Sequence, residues 1–538
     1  MAYQATPTPP QPEGRLAYKW KVLISVIFGI FMIILDTTVV NVAFPTLRRE
    51  FGASINDSQW IISVYVLALG IGTPLSGFMA DRFGIKRVYI AGLVVFLFGS
   101  LLSGLSPNLW LLVAARALQG FGGGIAQPLG AALLFSTFPP KEQGFALGIF
   151  GIALVVAPAL GPILGGLLVD QDLWRWIFFI NIPIGVVGVF LASRFLRERK
   201  PDRVPALDPL GLITAIIGFG AVLYAASIAA DQGWTSANVL FWFGIGAVSL
   251  LLFGITELFV AKEPLLNLRL FGIRTFLIAA LIGYVTVIAL FGAEFLLPVY
   301  LQALRGRTAL QTGFILLPIA LTAGVVTPIA GRFYDKIGPR LLIMIGFSVL
   351  LVNTWQLSQI RADTPISWLL FLLALRGLAL GMTVQTTFAT SLSVVPRANL
   401  ARGSSLVNGT RYVVQSIGVA VLATVLASAL SPTVKSFQKQ FQERPAPATQ
   451  PFGLCETPGV PADQNLPPGT ANLPGPAKRQ IQQSIQQACA ENLIGFERAY
   501  QLTFYLTMVA IIIGAFLPGW PFAWAGRGAA DAPAPIAH

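Results

Sequence analysis

A few charged side chains stand inside long apolar runs, and they are where this sequence has chemistry to offer. Asp36 lies in IFMIILDTTVVNVAF, Arg116 in WLLVAARALQGFGGG, Glu294 in VIALFGAEFLLPVY and Arg376 in WLLFLLALRGLALGM. Placing a charge at the centre of an apolar span costs roughly 2.5–3.5 kcal/mol on insertion scales, so a charge there is kept for a pathway or a partner. Asp36 can exchange a proton and sense a cation; it can equally make a polar contact to a neighbouring helix through Thr37 or Thr38. Arg116 has Gln119 on the same helical face at i+3. That pair can modulate proton release from a carboxylate, or it can lock a helix in place.

Most enzyme chemistry is excluded. The only histidine among 538 residues is His538, so no Ser/His/Asp triad and no histidine-based metal site can form. No G-x-x-x-x-G-K-[ST] loop is present to cradle a nucleotide phosphate. Two cysteines, Cys455 and Cys489, cannot hold zinc alone. The expectation is a non-enzyme without cofactor or metal.

The elements that position these residues follow from composition. Hydrophobic residues make up 55% and charged residues 11%, with mean hydropathy +0.73. A soluble domain carries about 25% charged residues. The bilayer must therefore be the solvent, and the chain is read as an all-α polytopic membrane protein. A spanning helix needs about 20 apolar residues. Fourteen runs qualify, near 20–44, 59–80, 88–106, 109–136, 144–169, 176–196, 210–230, 238–260, 275–300, 312–331, 340–359, 366–394, 403–430 and 499–520. They show no period-2 alternation, which argues against strands. Residues 1–18 are polar and Pro-rich, and the first apolar run is too long for a cleavable signal.

An even number of spans puts both termini on one side. Of the 36 Lys and Arg, 21 fall on the terminus-bearing side and 6 on the opposite short loops. Six more lie in the long 431–498 segment, and Arg116, Arg376 and Arg411 lie inside spans. This bias places both termini in the cytoplasm of a plasma or inner membrane. The net charge of +13 is thus read as topology, with no nucleic-acid partner. Glu257 and Arg411 are expected to reach a membrane interface. Residues 431–498 read as an external Pro-rich loop, with a short helix over 478–494. Two cysteines in one external loop are expected to form a Cys455–Cys489 disulfide.

The same signals occur twice. Asp81 in GFMADRFGIKR and Asp335 in GRFYDKIGPR are 254 residues apart. Pro45 and Pro298 are 253 apart, and Arg116 and Arg376 are 260 apart. Such offsets predict two parallel six-helix bundles with a substrate site between them near the midplane. The resulting division is a tail (1–19), a first bundle (20–200), a two-helix insert (201–265), five helices of a second bundle (266–430), the external loop (431–498), a last span (499–520) and a tail (521–538). Aligning Pro45 with Pro298 sets Glu294 opposite Asn41, near the level of Asp36. Two carboxylates on opposite walls of one cavity would then divide substrate binding and proton transfer, or share one proton. The other reading leaves Glu294 near the outer end of its span, in reach of water.

With these motifs in place the sequence resembles the major facilitator superfamily. GFMADRFGIKR (Gly77–Arg87) is similar to its loop 2–3 signature, LVAARALQGFGGG (Leu112–Gly124) to its fourth-helix motif, and APALGPILGG (Ala157–Gly166) to its fifth-helix antiporter motif. LDTTVVNVAFP, WRWIFFINIPIG, DPLG, PLLNLRLF and FLLPVYLQ resemble marks of the fourteen-helix drug:proton antiporters of the EmrB/QacA type. The resemblance implies a proton-coupled exporter of drugs or amphipathic, cationic compounds. Asp36, Arg116, Gln119, Asn41 and Glu294 are its coupling and substrate candidates. It implies a cytoplasmic gate of Gly77, Asp81, Arg82, Gly84, Lys86 and Arg87. It also implies a bending fifth helix through Ala157, Pro158, Gly161, Pro162, Gly165 and Gly166, with alanine at 157 where the motif has glycine. Partners are then a small-molecule substrate, protons and lipid, with a periplasmic adaptor protein as an open question. Export of a native lipid, siderophore or metabolite is an alternative, and a receptor or scaffold without transport is another.

Overall fold

The computed structural model of the chain describes residues 16–198, 208–261, 263–436 and, with short gaps, 452–520. Both predicted tails lie mostly outside the described residues, as does 437–451 of the Pro-rich segment. The described chain is helical, with no strand among the described residues. Its helices are α1 (Tyr18–Glu50), α2 (Ile55–Phe83), α3 (Ile85–Leu105), α4 (Leu109–Thr137), α5 (Gln143–Asp170), α6 (Trp176–Phe179), α7 (Asn181–Phe195), α8 (Pro209–Gln232) and α9 (Ala237–Ile255). They continue with α10 (Arg274–Val299), α11 (Ala309–Ile337), α12 (Pro339–Ser358), α13 (Ile366–Ser393), α14 (Leu400–Ser428) and α15 (Gly475–Gly514).

Among the described residues, thirteen helices are long and apolar enough to cross a membrane. The fourteenth predicted span is the second half of α15, a 40-residue helix whose first half is polar. The break expected between 494 and 499 is absent. Nothing in the composition stops a helix there: ENLIGFERAY holds one glycine and no proline, and Gly495 packs against Leu426. Helix starts follow local chemistry. Ser54, Asn108 and Asp208 accept from the backbone N–H three residues on, and Thr308 with Gln311 makes a capping box. Pro298 removes one backbone donor near the end of α10, and the helix runs on as a π-turn over Tyr300–Leu304.

Packing sorts the helices into two groups. Helices α1–α7 pack on one another, as do α10–α15. The groups meet most extensively through α5 and α11, with further contact of α2 and α4 with α14 and of α5 with α13. Helices α8 and α9 pair together, and α8 lies against both α2 and α14. The insert therefore closes one seam between the halves: Tyr224 stacks on Trp60, and Trp234 donates to Thr424 Oγ1 at 2.8 Å.

Both ends of the described chain sit at one end of the bundle. Lys19 pairs with Glu142 at the start of α5, and Trp520 N–H donates to the Ile337 carbonyl at the end of α11. Two charged residues depart from expectation. Glu257 does not reach the interface; it is 2% exposed and accepts from the N–H groups of Leu265 and Leu266, satisfying the turn that leaves the insert. Arg411 turns inward from α14 and donates to Thr387 Oγ1, over the Phe388 ring.

Candidate functional site

Asp36 is 1% exposed, closed inside the first bundle. One carboxylate oxygen accepts from Arg116 at 2.5 Å; the other accepts from Gln119 Nε2 and Asn181 Nδ2, each at 2.8 Å. Gln119 and Asn181 both also donate to Ser100 Oγ, which donates to the Phe178 carbonyl. The guanidinium of Arg116 reaches the Ile61 carbonyl and Gln119 Oε1, and lies 4.0 Å over the Tyr65 ring. Helices α4 and α7 thus supply the carboxylate's partners, and every one of those partners is a donor.

Asp36 is sealed within its own bundle. Asn41 is exposed on α1 and stands apart from the network. Glu294 is on α10, with its side chain outside the described residues.

At the end bearing the chain termini, two aspartates tie the halves. Asp81 on α2 accepts from Arg402 Nε on α14 at 2.5 Å. A Cβ on Gly77 would stand 2.8 Å from Arg402 Cα, so only glycine lets these helices meet. One turn away Ser76 and Ser405 hydroxyls lie 2.7 Å apart. Its repeat partner Asp335, on α11, accepts from the backbone N–H groups of Gly144 and Phe145 at 2.8 and 2.9 Å. These are the orphan donors at the start of α5. The rest of the gate loop stays within the first bundle. Gly84 turns the chain at φ +94°, Lys86 donates to the Ser193 carbonyl, Arg87 pairs with Glu198 at 3.6 Å, and Arg82 lies over Phe83.

Between the halves lies a cavity enclosing about 540 Å³ of empty space, part of it open to the outside. Pro158 and Pro162 of α5 form one wall; Leu290, Ala293 and Leu297 of α10 and Leu316 of α11 form others. Arg376 on α13 is the charged residue in its lining.

The sequence profile of the Major Facilitator Superfamily matches residues 26–419. The chain belongs to the major facilitator superfamily. It is 35% identical over 403 residues to the uncharacterized MFS-type transporter YhcA of Bacillus subtilis, covering 75% of this chain and 76% of that one. It is 32% identical to the fatty acid resistance protein FarB of Neisseria gonorrhoeae and 31% identical to the multidrug export protein EmrB of Haemophilus influenzae, covering 78% of this chain and 82% of each relative. The human organic anion transporter MFSD10 shares the fold, with TM-score 0.56 at 14% identity over 92% of this chain and 100% of that one. The protein is a membrane transporter related to efflux proteins, and not an enzyme.

In this MFS transporter the fifth-helix motif joins the Asp36 helix to the opposite half. A Cβ on Gly161 would fall 2.1 Å from Thr38 Oγ1, and Gly165 lies against Val39 and Val42 of α1. On the other face of α5, Gly166 lies by Leu310 and Pro162 by Gly313 of α11. Ala157, in the position where the motif has glycine, is fully buried and accommodated in the core around Leu35 and Ile177. Cys455 and Cys489 are disulfide-bonded. Part of the predicted loop is a structured cap. Leu454, Cys455 and Glu456 N–H groups donate to the Ala303 and Leu304 carbonyls, and Glu456 pairs with Arg305.

Sequence reasoning missed Asn181, Ser100 and Arg402. Asn181 is the uncharged polar residue in WRWIFFINIPIG and visible there, whereas Arg402 is hidden among the basic residues that set topology.

Proposed function

We propose that the protein is a proton-coupled exporter of amphipathic organic compounds, drugs among them, working by alternating access of its two halves. The observation that carries this reading is the carboxylate of Asp36, held inside the membrane region by Arg116, Gln119 and Asn181. A proton entering that site cancels the ion pair and loosens α1. Gly161 and Gly165 pass the change to α5, and α5 is the helix whose first turn is clasped by Asp335. The charge bias supports a cytoplasmic location for the end closed by Asp81 and Asp335, so this state is shut toward the cytoplasm. Opening toward the cytoplasm requires both clasps to part. The apolar inter-bundle cavity supports an amphipathic substrate, and the names of EmrB and FarB point to the same broad class.

The test is movement of ethidium in proteoliposomes under an imposed pH gradient. The native protein is expected to move the dye against proton flow, and Asp36→Asn to insert normally and move none. Native rates in that variant would remove Asp36 from the coupling. No gradient-driven movement by the native protein, of ethidium or of any member of a panel of neutral and anionic amphiphiles, would remove the exporter reading.

A further inference from the structure

The lining of the cavity between the halves includes a buried guanidinium. Arg376 is the repeat counterpart of Arg116 and is 1% exposed. In the first half Arg116 meets Asp36. The offset of 253 residues between Pro45 and Pro298 puts Ala289 in the place of Asp36 and Asn353 in the place of Ser100. The structure bears that register out in its contacts: Arg376 donates to the Ala289 carbonyl at 2.6 Å and to Asn353 Oδ1 at 3.2 Å. The buried arginine is thus built twice, beside an acid in one copy and beside an alanine in the other.

One polar atom at this place has no partner among the described residues: Arg376 Nε is buried without an acceptor. Among the described residues, no carboxylate pairs with Arg376. An unpaired buried charge is costly, whereas an arginine fork matches a carboxylate well. The remaining lining is apolar: Val155, Pro158, Leu290, Leu297, Leu316 and Leu380.

We infer that this cavity binds amphipathic carboxylates, with Arg376 holding the acid group and the apolar lining of α5, α10 and α11 holding the tail. The inference rests on the exporter reading for its biological role and narrows the substrate class of that same cavity. It also shifts the expectation of a cationic substrate, because Asp36 does not line this space and Arg376 does.

The experiment is calorimetric titration of purified full-length protein in maltoside micelles with octanoate and with its uncharged analogue octanamide, after subtraction of empty micelles. Octanoate is expected to bind about ten-fold or more tightly than octanamide, about what one charge-assisted hydrogen-bonded pair gives. Arg376→Gln is expected to bring octanoate down to the octanamide level. A second variant guards against misfolding: Ala289→Asp restores the acid that the first half has, pairs Arg376 internally, and is expected to abolish the octanoate preference with a thermal midpoint no lower than native. Equal binding of octanoate and octanamide by the native protein would overturn the inference. So would native octanoate affinity in Arg376→Gln or in Ala289→Asp. A ten-fold gain in octanoate affinity in Glu294→Gln would overturn it too, by showing the guanidinium already engaged by that side chain. Binding is read without a pH gradient, so failure of ethidium transport and failure of this inference are separate results.

Discussion

Replacing Asp36 by asparagine tests the network bond by bond. The carboxylate accepts on both oxygens: one from Arg116 at 2.5 Å, the other from Gln119 and Asn181 at 2.8 Å each. An amide has one acceptor and one donor end. With its oxygen toward Arg116, its NH2 group confronts two amide donors; reversed, it confronts the guanidinium. At least one bond is lost in either rotamer, and the charge of Arg116 is left without its counterion. Breaking one partner of a buried pair costs roughly 3–5 kcal/mol. The Tyr65 ring, Gln119 Oε1 and the Ile61 carbonyl still solvate Arg116, so the lower end of that range, about 3 kcal/mol, is expected. Arg116→Gln strands the carboxylate and is expected to cost at least as much. The double variant Asp36→Asn/Arg116→Gln replaces an ion pair by two amides and is expected to cost less than either single change, giving a coupling of about 2 kcal/mol or more. Thermal unfolding of the four proteins in detergent reads the order directly. All three variants are expected to lose gradient-driven transport, although the double variant regains stability. Losses that simply add in the double variant would refute the buried pair as the source of the effect.

Other expectations concern the gate, the cap and the packing of α5. Arg402→Ala removes the partner of Asp81 and is expected to speed N-ethylmaleimide labelling of a cysteine at Ser405; an unchanged rate would dissociate that ion pair from closure. Intact-mass analysis with iodoacetamide and no reductant is expected to show no adduct, because both cysteines are bonded, and two adducts would contradict the cap. On whole cells, an impermeant maleimide is expected to label a cysteine at Val460 and not one at Lys200; the reverse pattern would invert the topology. Gly161→Val is expected to block transport or lower the thermal midpoint, since its Cβ would fall 2.1 Å from Thr38 Oγ1, and native behaviour in both assays would refute the tight α1–α5 contact.

What could be read in the sequence follows from where charge is conspicuous. Asp36, Arg116 and Gln119 stand out because each is polar in an apolar run, and helical spacing already pairs the last two. Asp81 and Asp335 stand out because the repeat carries them at equal positions. Arg402 does not, because a basic residue near a span end looks like any other that sets topology, and only tertiary contact with Asp81 gives it a role. Glu257 misleads for the same reason. A carboxylate at a span end ordinarily reaches water, and here two backbone N–H groups five and six residues beyond that end fold back to it. The Pro-rich segment has the composition of a solvated loop, yet a run of backbone hydrogen bonds to the α10–α11 turn orders residues 452–457. Backbone pairing of this kind leaves no trace in side-chain pattern.

The repeat is a symmetry of backbone more than of chemistry, and the departures sit where the two halves must act differently. At the closed end Asp81 clasps a side chain, Arg402, whereas Asp335 clasps the backbone N–H groups that open α5. The first clasp is an ion pair, screened by salt and lost with either charge. The second is a cap on a helix terminus, which depends on the aspartate and on the position of α5 itself. Movement of α5 therefore breaks the second clasp directly and reaches the first only through rotation of the whole half. Inside the membrane region the same asymmetry recurs. The first half satisfies its arginine with Asp36 and excludes the cavity, and the second leaves Arg376 in the cavity wall with Ala289 in the acid's place. One copy of the repeat is closed upon itself, where the proposed mechanism puts the proton. The other is left open toward the space between the halves, where it puts the substrate.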